Sequence, residues 1–242
     1  MEAPSLSLVV PMYNEEGSVA SLINDIHLSL KSINYELILV DDKSEDETVE
    51  TVQNLLATNH KLVLLERNYG QSTAIKAGLD YCSADTIAIL DADGQNRPDD
   101  ILPMLQILTE EKADLVQGIR SLRADSLLKL ITSKIANSLM RALLGIEILD
   151  SGCALKVFKR SILTDFPFFN GYHRLFSVIA QKRGAKIVQV NVKHQSRTSG
   201  ESNYGVERIP LVIKHILALK KSTSAMSQEL NYSVNKVVQK AD

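Results

Sequence analysis

The sequence predicts an α/β fold, a mostly parallel central sheet with helices on both faces. Two observations carry this. Apolar runs of strand length alternate with amphipathic stretches of helix length through the first half of the chain, as βαβ units require. The runs, such as residues 6–10 and 86–90, are nearly continuous rather than alternating, which suits strands buried on both faces. At 242 residues and 26.8 kDa the chain is ample for one large domain, or a core with an appendage.

In chain order, residues 6–10 form a strand closed by Pro11. Residues 16–30 form a helix with Val19, Leu22, Ile23 and Ile26 on one face. Strands follow at 36–40, 62–65, 86–90 and 115–118, and helices at 48–56, 72–81 and from Pro98 to about 112. The second half is less regular. A long amphipathic helix is expected at 126–144, a strand at 154–158, a helix at 172–182 and a strand at 187–192. Residues 194–205 are polar and Gly-containing, hence a loop, and 209–221 a basic amphipathic helix. The last twenty or so residues are weakly patterned and expected to fray.

Composition excludes several classes. No run of about 18 apolar residues exists, so an ordinary membrane-spanning helix is not expected. The start, MEAPSLSLVVPMYNEE, lacks the pattern of a signal peptide. Cys82 and Cys153 stand far apart without metal-ligand spacing, which argues against a disulfide scaffold and a Cys-based zinc site. The net charge of −2 hides an asymmetry: residues 1–120 carry 21 Asp/Glu against 8 Lys/Arg, and residues 121–242 carry 8 against 19. An acidic half can hold a cation and a basic half can face phosphates or an anionic membrane, although uneven solvated surface would look the same.

Ligands of an open parallel sheet bind beyond the carboxyl ends of its strands. Three predicted strands end in polar clusters there: residues 11–15 (PMYNE), Asp41-Asp42, and residues 91–95 (DADGQ). Asp91 and Asp93 can reach one hard cation from a strand-to-loop turn, with Gln95 as a neutral oxygen donor. Plain turn chemistry is the alternative for an isolated pair; its place beside two other polar strand ends favours Mg²⁺ or Mn²⁺. Asp42 is assigned to ligand contact, accepting from a nucleobase N–H or ribose hydroxyl, and helix capping to Ser44 or Asp46. The chain has no G-x-G-x-x-G and no G-x-x-x-x-G-K-[ST], so dinucleotide binding and a P-loop ATPase lose support.

VPMYNEE, VDDKSEDET, RNYGQSTAIKAG and LDADGQ, in that order, resemble the inverting family 2 glycosyltransferases of the GT-A fold. DSGCALKVFKR and HQSRTSGESNYG resemble the branch containing dolichyl-phosphate mannose synthases and bacterial polyprenyl-phosphate glycosyltransferases. The match covers roughly residues 5–215. It implies a GT-A domain over 1–222, with a nucleotide- and metal-binding half (1–120), an acceptor half (121–222) and a polar tail (223–242). It implies that Pro11, Tyr13, Glu15, Val40 and Asp42 hold the nucleoside, with Ala92 also in the nucleotide-sugar site. Asp91, Asp93 and Gln95 then bind the metal diphosphate, and Arg120 and Arg197 contact phosphate. Two departures stand out: Lys43 replaces the Gly usual after Asp-Asp, and Asn203 replaces the Lys usual after Gly-Glu-Ser.

The implied reaction moves a hexose from GDP-mannose or a UDP-sugar to a polyprenyl or dolichyl phosphate. A phosphomonoester has a second pKa of about 6 and is largely ionised at neutral pH, so it needs no general base. Family members that use hydroxyl acceptors place an Asp mid-chain; residues 168–174 (FFNGYHR) have no carboxylate. Asp93 and Arg197 are the expected catalytic residues. Arg197 is the expected clamp on the acceptor phosphate, with His194, Ser202 and Asn203 as lesser candidates. The basic amphipathic helix at 209–221 could lie on an anionic bilayer or pack in a core. Expected is a cytoplasmic enzyme held peripherally at the inner face of the cytoplasmic membrane, with a homo-oligomer or separate membrane subunit left open and no nucleic acid partner. The alternatives are a family 2 transferase acting on a lipid or saccharide hydroxyl, and a catalytically silent sugar-nucleotide-binding subunit.

Overall fold

The computed structural model describes residues 3–120, 145–195 and 230–240. Its strands are β1 (Leu6–Met12), β2 (Tyr35–Asp41), β3 (His60–Leu65), β4 (Thr86–Ile89), β5 (Leu115–Arg120), β6 (Lys156–Lys159), β7 (Ile187–Val192) and β8 (Val234–Gln239). Its helices are α1 (Val19–Leu30), α2 (Thr48–Leu55), α3 (Gln71–Asp80), α4 (Ile101–Glu110) and α5 (Phe176–Lys182). The expected helix at 172–182 begins as a separate 3-10 turn, Tyr172–Arg174, before α5.

The described strands form one sheet in the order β7-β5-β6-β4-β1-β2-β3-β8. Pairing is parallel between β4, β1, β2 and β3 and between β5 and β7; β6 and β8 run antiparallel to their neighbours. Every residue of β1 and β2 is buried, because helices cover both faces. Alternation divides the core. Leu8, Val10, Leu37 and Leu39 face the layer of α1 and α4, and Val9, Ile38 and Val40 face that of α3 and α5. Gly78 brings α3 onto the sheet: a Cβ there would stand 2.4 Å from Val9 Cγ1 and 3.1 Å from Val40 Cγ2. This close approach sets α3's amino end above the carboxyl ends of β1 and β2.

One sequence expectation is corrected. Residues 234–239, expected within a frayed polar tail, form β8 along the outer edge of β3. Val234 packs on one core layer and Val238 on the other, and the strand takes up β3 backbone groups that would otherwise lie open at a sheet edge. The helices expected at 126–144 and 209–221 lie outside the described residues.

Candidate active site

The sheet order puts β4, β1, β2 and β3 side by side with their carboxyl ends together, so the three polar strand ends do converge. β5 and β7 point the same way, adding Arg120 and the segment after Val192. The loops after β1 and β2 are fastened to each other. The Asn14 N–H donates to Ser44 Oγ at 2.9 Å, the Glu45 N–H to Asn14 Oδ1 at 2.9 Å, and the Glu15 N–H to Thr48 Oγ1 at 2.7 Å. Neither Ser44 nor Asp46 caps α2, whose N-cap is Glu47 without a side-chain bond; Asp46 lies one residue earlier and accepts from the Thr48 N–H at 3.0 Å. Lys43, where the resembling family has Gly, holds the same left-handed conformation that a Gly would favour, with φ 68°. Pro11 and Val40 pair in register and are buried, Ala92 is buried, and Tyr13 stands 39% exposed at the rim.

A third loop joins two of the acidic strand ends. Asp42 Oδ1 accepts from the Tyr69 N–H and Oδ2 from the Gly70 N–H, both at 2.7 Å. Burial pushes the Asp42 carboxyl up to about 6 despite these two donors, and Asp41 beside it adds to the rise. Gly70, at φ 88°, makes the turn into α3. There Gln71 Nε2 donates to Asp91 Oδ1 at 2.8 Å. Burial, with Asp93 adjacent, pushes Asp91 up to about 7 even though Lys156 and Gln71 act in the opposite direction. Asp41 Oδ2 accepts from the Ser44 N–H at 3.0 Å, while its Oδ1 is buried with no hydrogen-bond partner among the described residues.

The turn after β4 is shaped by Asp93, whose Oδ1 accepts from the Gln95 N–H at 3.1 Å. It is tied to the segment after β7: Asn96 and His194 form an antiparallel bridge, and the Gln195 N–H donates to Gln95 O at 2.9 Å. His194 thus lies beside the Asp91–Gln95 turn. Arg197, Ser202 and Asn203 lie outside the described residues.

Arg120 is held by a partner 30 residues further along the chain. Asp150 grips it as a fork, with Nε to Oδ2 and Nη2 to Oδ1 each at 2.8 Å. Buried Gln117 donates to the carbonyls of Asp150 and Cys153 at 3.2 Å. Lys156, 3% exposed, donates to the carbonyl of Cys153, and burial lowers its pKa. Sequence reasoning missed Gln71, Gln117 and Lys156 as parts of this edge. The signals were present: a fourth polar strand end in RNYGQ, and lone polar residues inside the apolar strands LVQGIR and KVFK.

The donor set suits a hard cation. Among the described residues no group of three His, Cys, Asp or Glu side chains could hold a metal ion by itself. Two carboxylates at a strand end, one of them disfavoured as a bare charge, suit an ion that keeps substrate phosphates and waters as its other ligands, as Mg²⁺ and Mn²⁺ do.

The model of Glycosyl transferase family 2 matches residues 7–166. The dodecaprenyl-phosphate galacturonate synthase of Rhizobium johnstonii is 35% identical over 227 residues, 90% of this chain and 67% of the relative. The undecaprenyl-phosphate 4-deoxy-4-formamido-L-arabinose transferase of Shewanella sediminis is 35% identical over 205 residues, 83% of this chain and 62% of the relative. The chain thus spans about two thirds of the length of these relatives. Glucosyl-3-phosphoglycerate synthase of Mycobacterium tuberculosis, solved with Mn²⁺, UDP and glucosyl-3-phosphoglycerate, has a TM-score of 0.68 at 21% identity, covering 96% of this chain and 86% of that one. That likeness shows the fold.

Proposed function

Because the chain belongs to glycosyl transferase family 2, we propose that it moves a sugar from a nucleotide-diphospho-sugar, a UDP-sugar or GDP-mannose, to a polyprenyl phosphate at a membrane surface, with Mg²⁺ or Mn²⁺. The observation that carries this is the Asp91–Asp93 turn at the shared carboxyl edge of β4, β1 and β2, where the half-buried Asp91 carboxyl is pushed up to about 7. The relatives' names support a polyprenyl-phosphate acceptor. They also widen the sugar beyond a plain hexose to a uronate or an amino-pentose derivative.

In this proposal Pro11, Tyr13, Glu15, Val40 and Asp42 line the nucleoside site, with Ala92 beside them. Asp91, Asp93 and Gln95 hold the cation on the diphosphate. When bound there, the cation neutralises the charge that grows on the leaving diphosphate. Arg120, oriented by Asp150, adds a fixed positive charge on the same side. Arg197 grips the acceptor phosphate, with His194, Ser202 and Asn203 as further contacts. The acceptor is already anionic, so no side chain need remove a proton from it. The proposal places the chain peripherally at the inner face of the cytoplasmic membrane. Among the described residues no helix is long and apolar enough to cross a bilayer.

The test is incubation with labelled sugar nucleotides, Mn²⁺ and short polyprenyl phosphates. Labelled lipid is the expected product. Turnover only with lipid or saccharide hydroxyls would replace the acceptor, and donor binding without any turnover would indicate a silent binding subunit.

A further inference from the structure

Residues 232–239 touch the donor side of the sheet at more places than a passive edge strand needs. β8 pairs with β3 from Lys61↔Gln239 to Leu65↔Val234, and the register shifts between Leu64 and Leu65, just before the loop that meets Asp42. Beyond the ladder the Glu66 N–H donates to Ser233 O at 3.0 Å, and the Ser233 N–H donates to Tyr69 Oη at 3.1 Å. Tyr232 Oη donates to Asp80 Oδ2 at 2.7 Å, at the far end of α3. The Arg67 guanidinium lies over the Tyr69 ring, 4.7 Å from its centre. Residues 66–80 are therefore held from outside at both ends, at Glu66 and Tyr69 on one side and at Asp80 on the other.

That stretch carries three groups of the candidate site. The Tyr69 and Gly70 N–H groups hold the two oxygens of Asp42, and the Gln71 amide holds Asp91. Among the described residues Tyr69 links the two systems directly, with its backbone on Asp42 and its hydroxyl on Ser233. Loops at sheet edges are ordinarily mobile, and a carboxylate oriented by a mobile loop is poorly placed for a ligand.

We propose that residues 232–239 are a positioning element of the donor site, fixing through Tyr69 and Asp80 the loop that orients Asp42 and Asp91. No residue of β8 touches the donor. Its effect passes through the backbone of residues 66–71, and it acts on donor binding rather than on the acceptor. This rests on the glycosyltransferase proposal above.

Tyr69→Phe tests it, because the variant keeps the ring and the backbone N–H on Asp42 and loses only the oxygen that Ser233 reaches. Tyr232→Phe removes the link to Asp80. Amide exchange over residues 66–72, titration with UDP and GDP in the presence of Mn²⁺, and thermal melting would be measured on the full chain. Expected is faster exchange at Tyr69 and Gly70, with nucleoside diphosphate affinity weakened about two- to tenfold, the worth of one net hydrogen bond. In turnover the donor KM should rise, with kcat and the acceptor KM unchanged. The double variant should exceed either single one. A melting point that falls while exchange in the loop and nucleotide affinity stay at wild-type values would overturn the proposal and leave β8 a purely structural edge. Wild-type protein that binds neither nucleotide would instead remove the donor assigned under the proposed function, and with it the donor site to position. Slower exchange in wild type than in Tyr69→Phe would then still establish the mechanical link.

Discussion

Two carboxylates stand at opposite edges of the parallel strands, Glu36 buried and Asp91 half-buried, and the protein treats them in opposite ways. At the amino end, Glu36 accepts from Ser7 Oγ, Lys61 Nζ, the Ser83 hydroxyl and the Ser83 and Ala84 N–H groups. Burial would raise its pKa, but Lys61 and these donors together hold it down to about 2. At the carboxyl end, Asp91 has one Gln71 amide and a second carboxylate nearby, and is pushed up to about 7. The first carboxylate is complete as folded. The second is left with unfavourable charge that a bound cation would relieve, and raised pKa values of this kind collect at functional sites.

The largest expected effect lies at the incomplete end. Asp93→Asn should lower turnover by about a hundredfold or more, the scale for losing one preorganised charge-stabilising group. The circular dichroism spectrum should match that of wild type. Undiminished turnover at ordinary Mn²⁺ concentration would put the cation elsewhere.

Glu36→Gln breaks the complete end. It should cost on the order of 3 kcal/mol of stability at pH 7, the size of a shift from 4.5 to about 2. The sign follows from linkage: a folded-state pKa below the unfolded one adds stability above about pH 4.5, lost as pH falls toward 2. Urea unfolding at pH 7 and pH 3 should therefore show the gap between variant and wild type narrowing with acid. Nucleotide affinity should not change, since Glu36 lies at the other end of the sheet. A variant that melts as wild type does would mean that the neutral donors alone satisfy this site.

Asp91→Asn should act in the opposite direction. A folded-state pKa raised to about 7 favours the protonated fold, so stability is full below about pH 4 and falls as pH rises through 7. Without metal at pH 8 the variant should be more stable than wild type by about 1–2 kcal/mol, a discounted figure because the carboxyl is only partly covered. The advantage should vanish near pH 4. In wild type, Mn²⁺ affinity should rise with pH up to about 7 and then level off, because the cation competes with a proton. Equal stabilities at pH 4 and pH 8 would erase the contrast between the two ends.

The two ends were unequally legible in the sequence. The strand-end acids were visible because continuous apolar runs fix where strands stop, and an acid after such a run must lie at the sheet edge. Asp91, Asp93 and Asp42 were found this way. Glu36 was not singled out, because an acid at the start of a strand looks the same whether it is solvated or buried. Its partners Ser7, Lys61 and Ser83 come from three different segments, which only the parallel register brings together. For the same reason the Asp150 fork on Arg120 was not legible, since 30 residues separate the pair. Segment 234–239 was misread because Asn, Lys and Gln dilute its pattern, and its valines find their place only once β3 offers an open edge.

Lys43→Gly gives the smallest effect and the sharpest control. The residue sits at φ 68°, where a β-carbon costs about 1–2 kcal/mol. Glycine removes that strain but adds up to about 1 kcal/mol of unfolded-chain freedom. The net gain should be a few tenths to about 1 kcal/mol by urea unfolding. It should be independent of pH, because no pairing of Glu36, Asp42 or Asp91 involves the Lys43 side chain. A pH-dependent gain would show that this ammonium belongs to the electrostatics of the carboxyl edge. Its position, where the resembling family has no side chain, would then bear on the choice of donor.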